Sequence, residues 1–319
     1  MTNWRPTASF EVLRFRAKLL KKLRMFFEAR GVLEVDTPAL SHAAATDRHL
    51  GSFRVENPHG DSLYLQTSPE FPMKRLLAAG SGDIWQACKV FRAGEAGRLH
   101  NPEFTLLEWY RSGFDHHRLM REVAELIATL VPSLAGEPEY LSYREAFQRH
   151  AGFDPFEADS KTCIHALQHP ERLLPAEHEL DFDGWLDLVA GECVYPALGH
   201  GHVAFVHDYP ASQAALARIR ADQPPVAERF EAFVNGVELA NGFHELTDAG
   251  EQRRRFAHDL QLREENGLPA VPMDECLIAA LEQGLPECAG VALGFDRLLM
   301  LAAGAGSIEA VIAFPASRA

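Results

Sequence analysis

The chain contains no apolar run approaching the roughly 18 residues that a membrane span requires, and its opening stretch, MTNWRPTASFEV, lacks the apolar centre of a secretion signal. A cytoplasmic location is the expectation. Cysteine is scarce: Cys88, Cys163, Cys193, Cys276 and Cys288 are odd in number, widely spaced and form no CxxC pair. Neither a disulfide framework nor a zinc ribbon follows from them, and buried free thiols are expected. Internal repeats and low-complexity tracts are missing. Positive charge is also short, with a net charge of −14, which argues against broad nonspecific binding of nucleic acid. What is present is globular material: 319 residues, 47% of them hydrophobic and 24% charged, enough for one large α/β or α+β domain with insertions or for about two domains.

From Ser9 to Arg30 the apolar residues Val12, Phe15, Leu19, Leu23, Phe26 and Phe27 recur at helical spacing, with Ser9 as N-cap and Gly31 as the stop. Residues 1–30 carry eight basic residues against two acidic ones, a basic face on an acidic body. GVLEVDTPAL then reads as a short extended segment around Pro38. Strands are expected at 62–67, 83–92, 104–110 and 205–209, with a further segment at 233–247. Helices are expected at 70–79, 116–131, 248–266 and 273–283. The stretch from about 135 to 205, with scattered Pro, Gly and His, reads as an irregular insertion.

Between the strands 83–92 and 104–110 lies a nine-residue polar loop, Ala93–Asn101, and long hairpin tips are usually functional. Alternation puts Phe104, Leu106, Glu108 and Tyr110 on one face, lining up an aromatic ring, a carboxylate and a phenol. Arg92, Glu95, Arg98, His100 and Asn101 supply groups suited to phosphate at the mouth. A surface hairpin with solvated charges is the alternative. In VNGVELANGFHELTD, Glu238 and Glu245 flank Asn241, and carboxylates that share a site with phosphates are the usual magnesium ligands; an ordinary strand and turn is the alternative. GVALGFDRLLML places Asp296 and Arg297 at the start of an apolar helix.

Taken in this order, FRAGEAGRLHNPEFTLLEWY resembles motif 2 of the class II aminoacyl-tRNA synthetases, GVALGFDRLLML their motif 3, and the helix into GVLEVDTPAL their motif 1. TSPEFPMKRLL, RLHNPEFT, VELANGFHELTD and VIAFP are similar to words of the lysyl branch. The resemblance covers about residues 9–318. It implies an α+β class II synthetase catalytic core, an antiparallel sheet of six or seven strands flanked by helices, with motif 1 at a homodimer interface. The expected organisation is a single catalytic domain over 1–319 with an insertion at about 135–205. The motif 1 helix begins too early to follow an anticodon-binding OB-fold. This combination resembles the branch of synthetase paralogues that attaches (R)-β-lysine to a lysine of translation elongation factor P. The protein partner would then stand in place of tRNA.

By that resemblance Arg92 would hold the α-phosphate of ATP, with Glu95, His100 and Asn101 on the loop side of the nucleotide. Phe104 would stack on adenine, and Arg297 would meet the γ-phosphate or the other side of the adenine, with Gly294 allowing close packing. Glu238 and Glu245, beside Leu239, would hold Mg²⁺. Ser68, Pro69, Glu70, Glu108, Tyr110, Asn241, Glu245 and Ala292 would form the pocket for (R)-β-lysine or lysine, Glu108 and Tyr110 suiting an ammonium group. Three positions depart from the family pattern: Gly94 stands where motif 2 usually has Glu, with Glu95 one residue later; Ala292 replaces a common Gly; Ser68 replaces a usual Ala. A truncated lysyl-tRNA synthetase and a non-catalytic nucleotide-binding paralogue are the rival readings. Two histidine sets, Cys163 with His165 and His169, and His200 with His202 and His207, lack standard zinc spacing, and His116 and His117 read as surface residues at a helix start.

Overall fold

The computed structural model describes residues 4–58, 60–167 and 180–319. The chain divides into two compact units, residues 1–113 with 247–319, and residues 114–246.

In the first unit the basic stretch forms the helix Phe10–Glu28, where Ser9 Oγ accepts from the Val12 N–H at 3.2 Å. Its apolar stripe buries Leu19, Leu23, Phe26 and Phe27, while Arg14, Lys18, Lys21 and Lys22 are exposed. Phe27 stacks on Trp85 at 4.8 Å and meets Trp109 edge-on at 5.5 Å, contacts worth about 1 kcal/mol each beyond the area they bury. The chain then turns at Gly31, whose φ of +66° suits glycine, into the short strand Leu33–Glu34. That strand pairs parallel with Ile84–Phe91, which pairs antiparallel with Glu103–Ser112, which in turn pairs antiparallel with Cys288–Gly294. A small antiparallel sheet of Leu40–Ser41, Leu63–Leu65 and Arg54–Val55 lies in the same unit, with the helices Glu70–Ala78, Ala249–Glu265, Glu275–Gly284 and Phe295–Ala303.

The second unit holds the helix His116–Leu130, capped by Asp115, and a sheet in which Glu139–Ser142 pairs parallel with Ala204–Pro210. Ala204–Pro210 pairs antiparallel with Val226–Val234, which pairs antiparallel with Val237–His244 and with the short strand Ile219–Arg220. Val226–Val234 and Val237–His244 are joined by Asn235 and Gly236, both left-handed at φ +51° and +73°, the tight hairpin turn that Asn-Gly favours. The α+β expectation holds. The strand number exceeds the expected six or seven: apart from the small three-stranded sheet, four strands lie in one unit and five in the other, and each unit holds a parallel pair.

In the segment expected to be irregular, the described residues form three short helices, Tyr143–His150, Ser160–Ala166 and Phe182–Val189, the last running into a wide turn at 190–197. Each helix is short, so too few turns accumulate for an apolar stripe to show in sequence. Ser142 and Glu145 close a reciprocal capping box at the first of them. Their apolar sides build a core of Tyr143, Phe147, Trp185, Val189, Val206 and Tyr209. Here Gly199 is obligatory, since a Cβ would lie 2.4 Å from the Phe233 carbonyl oxygen. Of the cysteines, only Cys163 and Cys288 are buried; Cys276 is exposed, which corrects the expectation of uniformly buried thiols.

Candidate active site

Strand alternation holds along Glu103–Ser112. The Tyr110 hydroxyl donates to Glu108 Oε1 at 2.7 Å, and Ser68 Oγ, arriving from the segment ahead of the Glu70–Ala78 helix, donates to Oε2 at 2.6 Å. Glu108 is buried, 2% exposed, so its oxygens act where hydrogen bonds and charge are strong. The register places Gln86 directly beside Glu108 on one neighbouring strand and Ala292 beside it on the other. Gln86 is buried and its Oε1 accepts from Thr37 Oγ1 at 2.9 Å. Sequence reasoning missed Gln86, because cross-strand neighbours depend on register, which the sequence does not display. On the same face Cys88 is pushed up to about 12 by burial and by the Glu108 charge, which keeps it a thiol.

Glu70 is committed differently. Its Oε1 accepts from the buried Lys74 Nζ at 2.7 Å, one helical turn on, while its backbone N–H donates to Ser68 Oγ at 3.1 Å. Pro69 sits at the N-cap of that helix. The spacing of four residues in EFPMK was a readable signal for the Lys74 pair.

At the hairpin mouth the Arg92 guanidinium lies 5.1 Å from the Phe104 ring centroid and 3.5 Å from Glu95 Oε1. Gly94 adopts φ +85°, a turn that brings the carboxylate of the following residue back beside Arg92. Arg297 Nη2 donates to His100 Nε2 at 2.7 Å. Burial and the cationic Arg297 and Arg92 lower the His100 pKa, outweighing Glu95 and favouring the neutral ring that accepts this bond. The loop tip is internally pinned by Gly97–His100 bonds and tied to the C-terminal segment by Ile308 N–H to Arg98 O at 2.9 Å. Asn101 is buried and occupied structurally: Nδ2 donates to Glu103 O at 2.5 Å and Oδ1 accepts from the Ala316 N–H at 3.0 Å.

Asp296 and Arg297, adjacent at the start of the Phe295–Ala303 helix, part company. Buried Asp296 accepts from Arg16 and from the Thr105 N–H at 2.7 Å, fastening that helix to the N-terminal helix and to the Glu103–Ser112 strand. Around Gly294 a Cβ would meet only the Arg297 side chain at 3.6 Å or more, so packing within the protein does not demand glycine there.

In the second unit, Glu238, Asn241 and Phe243 pair with Phe233, Glu231 and Arg229. Those three partners are alternate residues of one strand and share a face, so Glu238, Asn241 and Phe243 share one too. A register shift beside Ala232 makes this so, with Leu239 as the extra residue. The isolated bridge of Ala217 with Glu245 carries the extended backbone onward, and Glu245 keeps the parity of Asn241. Without the bulge, strict alternation would separate Glu238 from both. Arg229 Nε donates to Asn241 Oδ1 at 3.4 Å, and Glu245 is 1% exposed. Two hard carboxylates on one face fit a magnesium ion.

His116 is buried at 1% exposure, against the surface position expected for it, and lies near His117 and His207. His169 lies outside the described residues. His202 faces Glu139 at 3.4 Å. Among the described residues no helix is long and apolar enough to cross a membrane.

Comparison with known proteins agrees with the motifs. A protein named elongation factor P--(R)-beta-lysine ligase from Vibrio cholerae serotype O1 is 52% identical over 326 residues, covering all of both chains. Proteins of the same name from Edwardsiella ictaluri and Vibrio vulnificus are 50% and 51% identical, covering 100% and 98% of this chain and 99% and 98% of their own. The family model described as tRNA synthetases class II (D, K and N) matches residues 1–318, and the chain belongs to that family.

Proposed function

We propose that this protein uses ATP to activate (R)-β-lysine, or lysine, as an aminoacyl-adenylate and transfers it to a lysine side chain of translation elongation factor P. One observation carries the reading on the structural side: Glu108 is buried, held by Ser68 and Tyr110, and shares a strand face with Phe104 and the Arg92 mouth. A fixed, buried carboxylate with a neighbouring phenol is what a substrate ammonium needs, and its position along the strand from an aromatic ring and an arginine suits an amino acid lying beside a nucleotide.

In the first step the amino-acid carboxylate attacks the α-phosphorus in line and pyrophosphate leaves. Arg92 neutralises charge growing on the α-phosphoryl oxygens, Arg297 meets the γ-phosphate or the adenine, and Phe104 supplies the stacking surface. Glu95 and His100 border the nucleotide from the loop, while Asn101 acts by fixing the loop. Ser68 and Tyr110 orient Glu108, Glu70 is positioned through Lys74, and Ala292 sets the room beside Glu108. In the second unit, Glu238 and Glu245 take the Mg²⁺ role and Asn241 a substrate role. Bound Mg²⁺ would supply charge neutralisation at the phosphates. In the second step the neutral ε-amine of the target lysine attacks the adenylate carbonyl, forming an amide and releasing AMP.

On this reading the chain is one catalytic domain with residues 135–205 as an insertion, working in the cytoplasm as a homodimer. Met25, Leu33 and Leu40 around motif 1 are exposed apolar residues suited to a subunit interface. The test is the intact mass of elongation factor P after incubation with ATP, Mg²⁺, (R)-β-lysine and the protein. A gain of one lysyl unit is expected. No gain, with lysine-specific tRNA charged instead, would transfer the reading to the tRNA synthetases.

A further inference from the structure

Away from these groups, the second unit concentrates imidazoles. His116 and His117 open the helix His116–Leu130, and their rings lie 4.1 Å apart; His207, from the strand Ala204–Pro210, lies 5.0 Å from His117 and 6.3 Å from His116 by ring centroids. One ligand atom from each of the three comes within 4.8 Å of the others. Among the described residues, neither ring nitrogen of His116 nor Nδ1 of His207 has a hydrogen bond of good geometry, an uncommon state for buried polar atoms.

The backbone is bent to make this cluster. His207 and Asp208 are consecutive strand residues, which regular alternation would send to opposite faces. Asp208 instead adopts φ +59°, beside an irregular stretch of the register with Val226–Val234, and both side chains reach the helix start. Asp208 Oδ1 lies 3.3 Å from His116 Nε2, and Oδ2 lies 3.3 Å from His207 Nδ1. Arg220 holds the same carboxylate from behind, with Nη2 2.9 Å from Oδ2. A carboxylate shared by two imidazoles and itself anchored is the outer-shell arrangement that orients metal-bound histidines. Glu228, also a neighbour of Arg220 and bonded to His244 Nδ1 at 2.6 Å, adds a second negative group. With Asp222, three carboxylates share that one arginine, and the surplus of negative charge suits a dication held by neutral nitrogens.

We propose that His116, His117 and His207 bind a divalent transition-metal ion of the zinc class, with Asp208 as the orienting carboxylate. Three imidazoles and no thiolate select a borderline cation over magnesium or calcium. The ion would tie the first turn of the helix to the strand and leave a coordination position for water.

The experiment titrates Zn²⁺, as zinc chloride, into the tag-free, chelator-stripped full-length protein, with calorimetric stoichiometry and thermal midpoint as readouts. One ion per chain and a raised midpoint are expected, with affinity weakened at least 10-fold in His117→Ala and His207→Ala and unchanged in the control His165→Ala. Co²⁺ in place of Zn²⁺ should give visible absorption bands that the same two variants lose, which keeps the test decisive if His116→Ala fails to fold. Absence of stoichiometric binding by the wild-type protein would overturn the assignment. So would binding that survives both variants, or that is lost in Glu228→Gln while His117→Ala binds normally, which would move the ion to the neighbouring His116, Glu228 and His244 group. None of these outcomes depends on adenylate formation, so the assignment and the proposed function fail separately.

Discussion

The strand Glu103–Ser112 and the hairpin formed by Val226–Val234 and Val237–His244 both present polar side chains along one sheet face, and they achieve it in different ways. Along the first, pairing with both neighbours runs without interruption, so Phe104, Glu108 and Tyr110 share a face by plain alternation. In the second a single extra residue resets the parity, and only that reset puts Glu238 with Asn241 and Glu245. An unbroken strand can be read by counting in twos. A bulged one cannot, because the sequence marks neither the inserted residue nor the partner that exposes it.

The contrast is broken most forcefully at Glu108. Glu108→Gln keeps the shape and removes the charge that Ser68 and Tyr110 hold in place, so the loss in kcat/KM for amino-acid-dependent pyrophosphate exchange should be about 2 to 5 kcal/mol, roughly 30-fold to several thousand-fold. A change within a few-fold would mean that this face does not receive the substrate ammonium. Glu238→Gln should come next. It removes one of the two carboxylates that the bulge brings to one face, costing on the order of 100-fold in pyrophosphate exchange and raising the Mg²⁺ concentration needed, provided the thermal midpoint shows the fold intact. An unaltered Mg²⁺ requirement in the folded variant would show that this face does not hold the ion. The smallest effect belongs to Ala292, next to Glu108 in register. Ala292→Gly should shift the ratio of α-lysine to (R)-β-lysine activation toward α-lysine by about 1 to 3 kcal/mol at most, since one methyl group is involved. Equal ratios in the two proteins would show that this methyl does not border the substrate.

Much of the first region is legible in the sequence. The N-terminal helix and its Ser9 cap, the long hairpin tip and the face shared by Phe104, Glu108 and Tyr110 all follow from spacing. Gln86 was hidden because it is brought in by register, and Asp296 because its partners, Arg16 and Thr105, are remote in sequence. In the second region the helices Tyr143–His150, Ser160–Ala166 and Phe182–Val189 were too short to impose a period. Buried His116 meets the carboxylate of a left-handed Asp208 that is remote in sequence, a contact no local pattern announces.

The ties between the loop tip and residues 308–316 bear on how the protein is handled at the bench. Ile308 and Ala316 clasp Arg98 and Asn101, and Thr7 is bonded to Ile312 and Ala313. Extra residues attached beside Thr7 or Ala316 would therefore hang next to contacts that shape the loop at 93–101. Cleavable tags on long spacers are the safer format, and activity lost in a directly fused protein should be attributed first to the fusion.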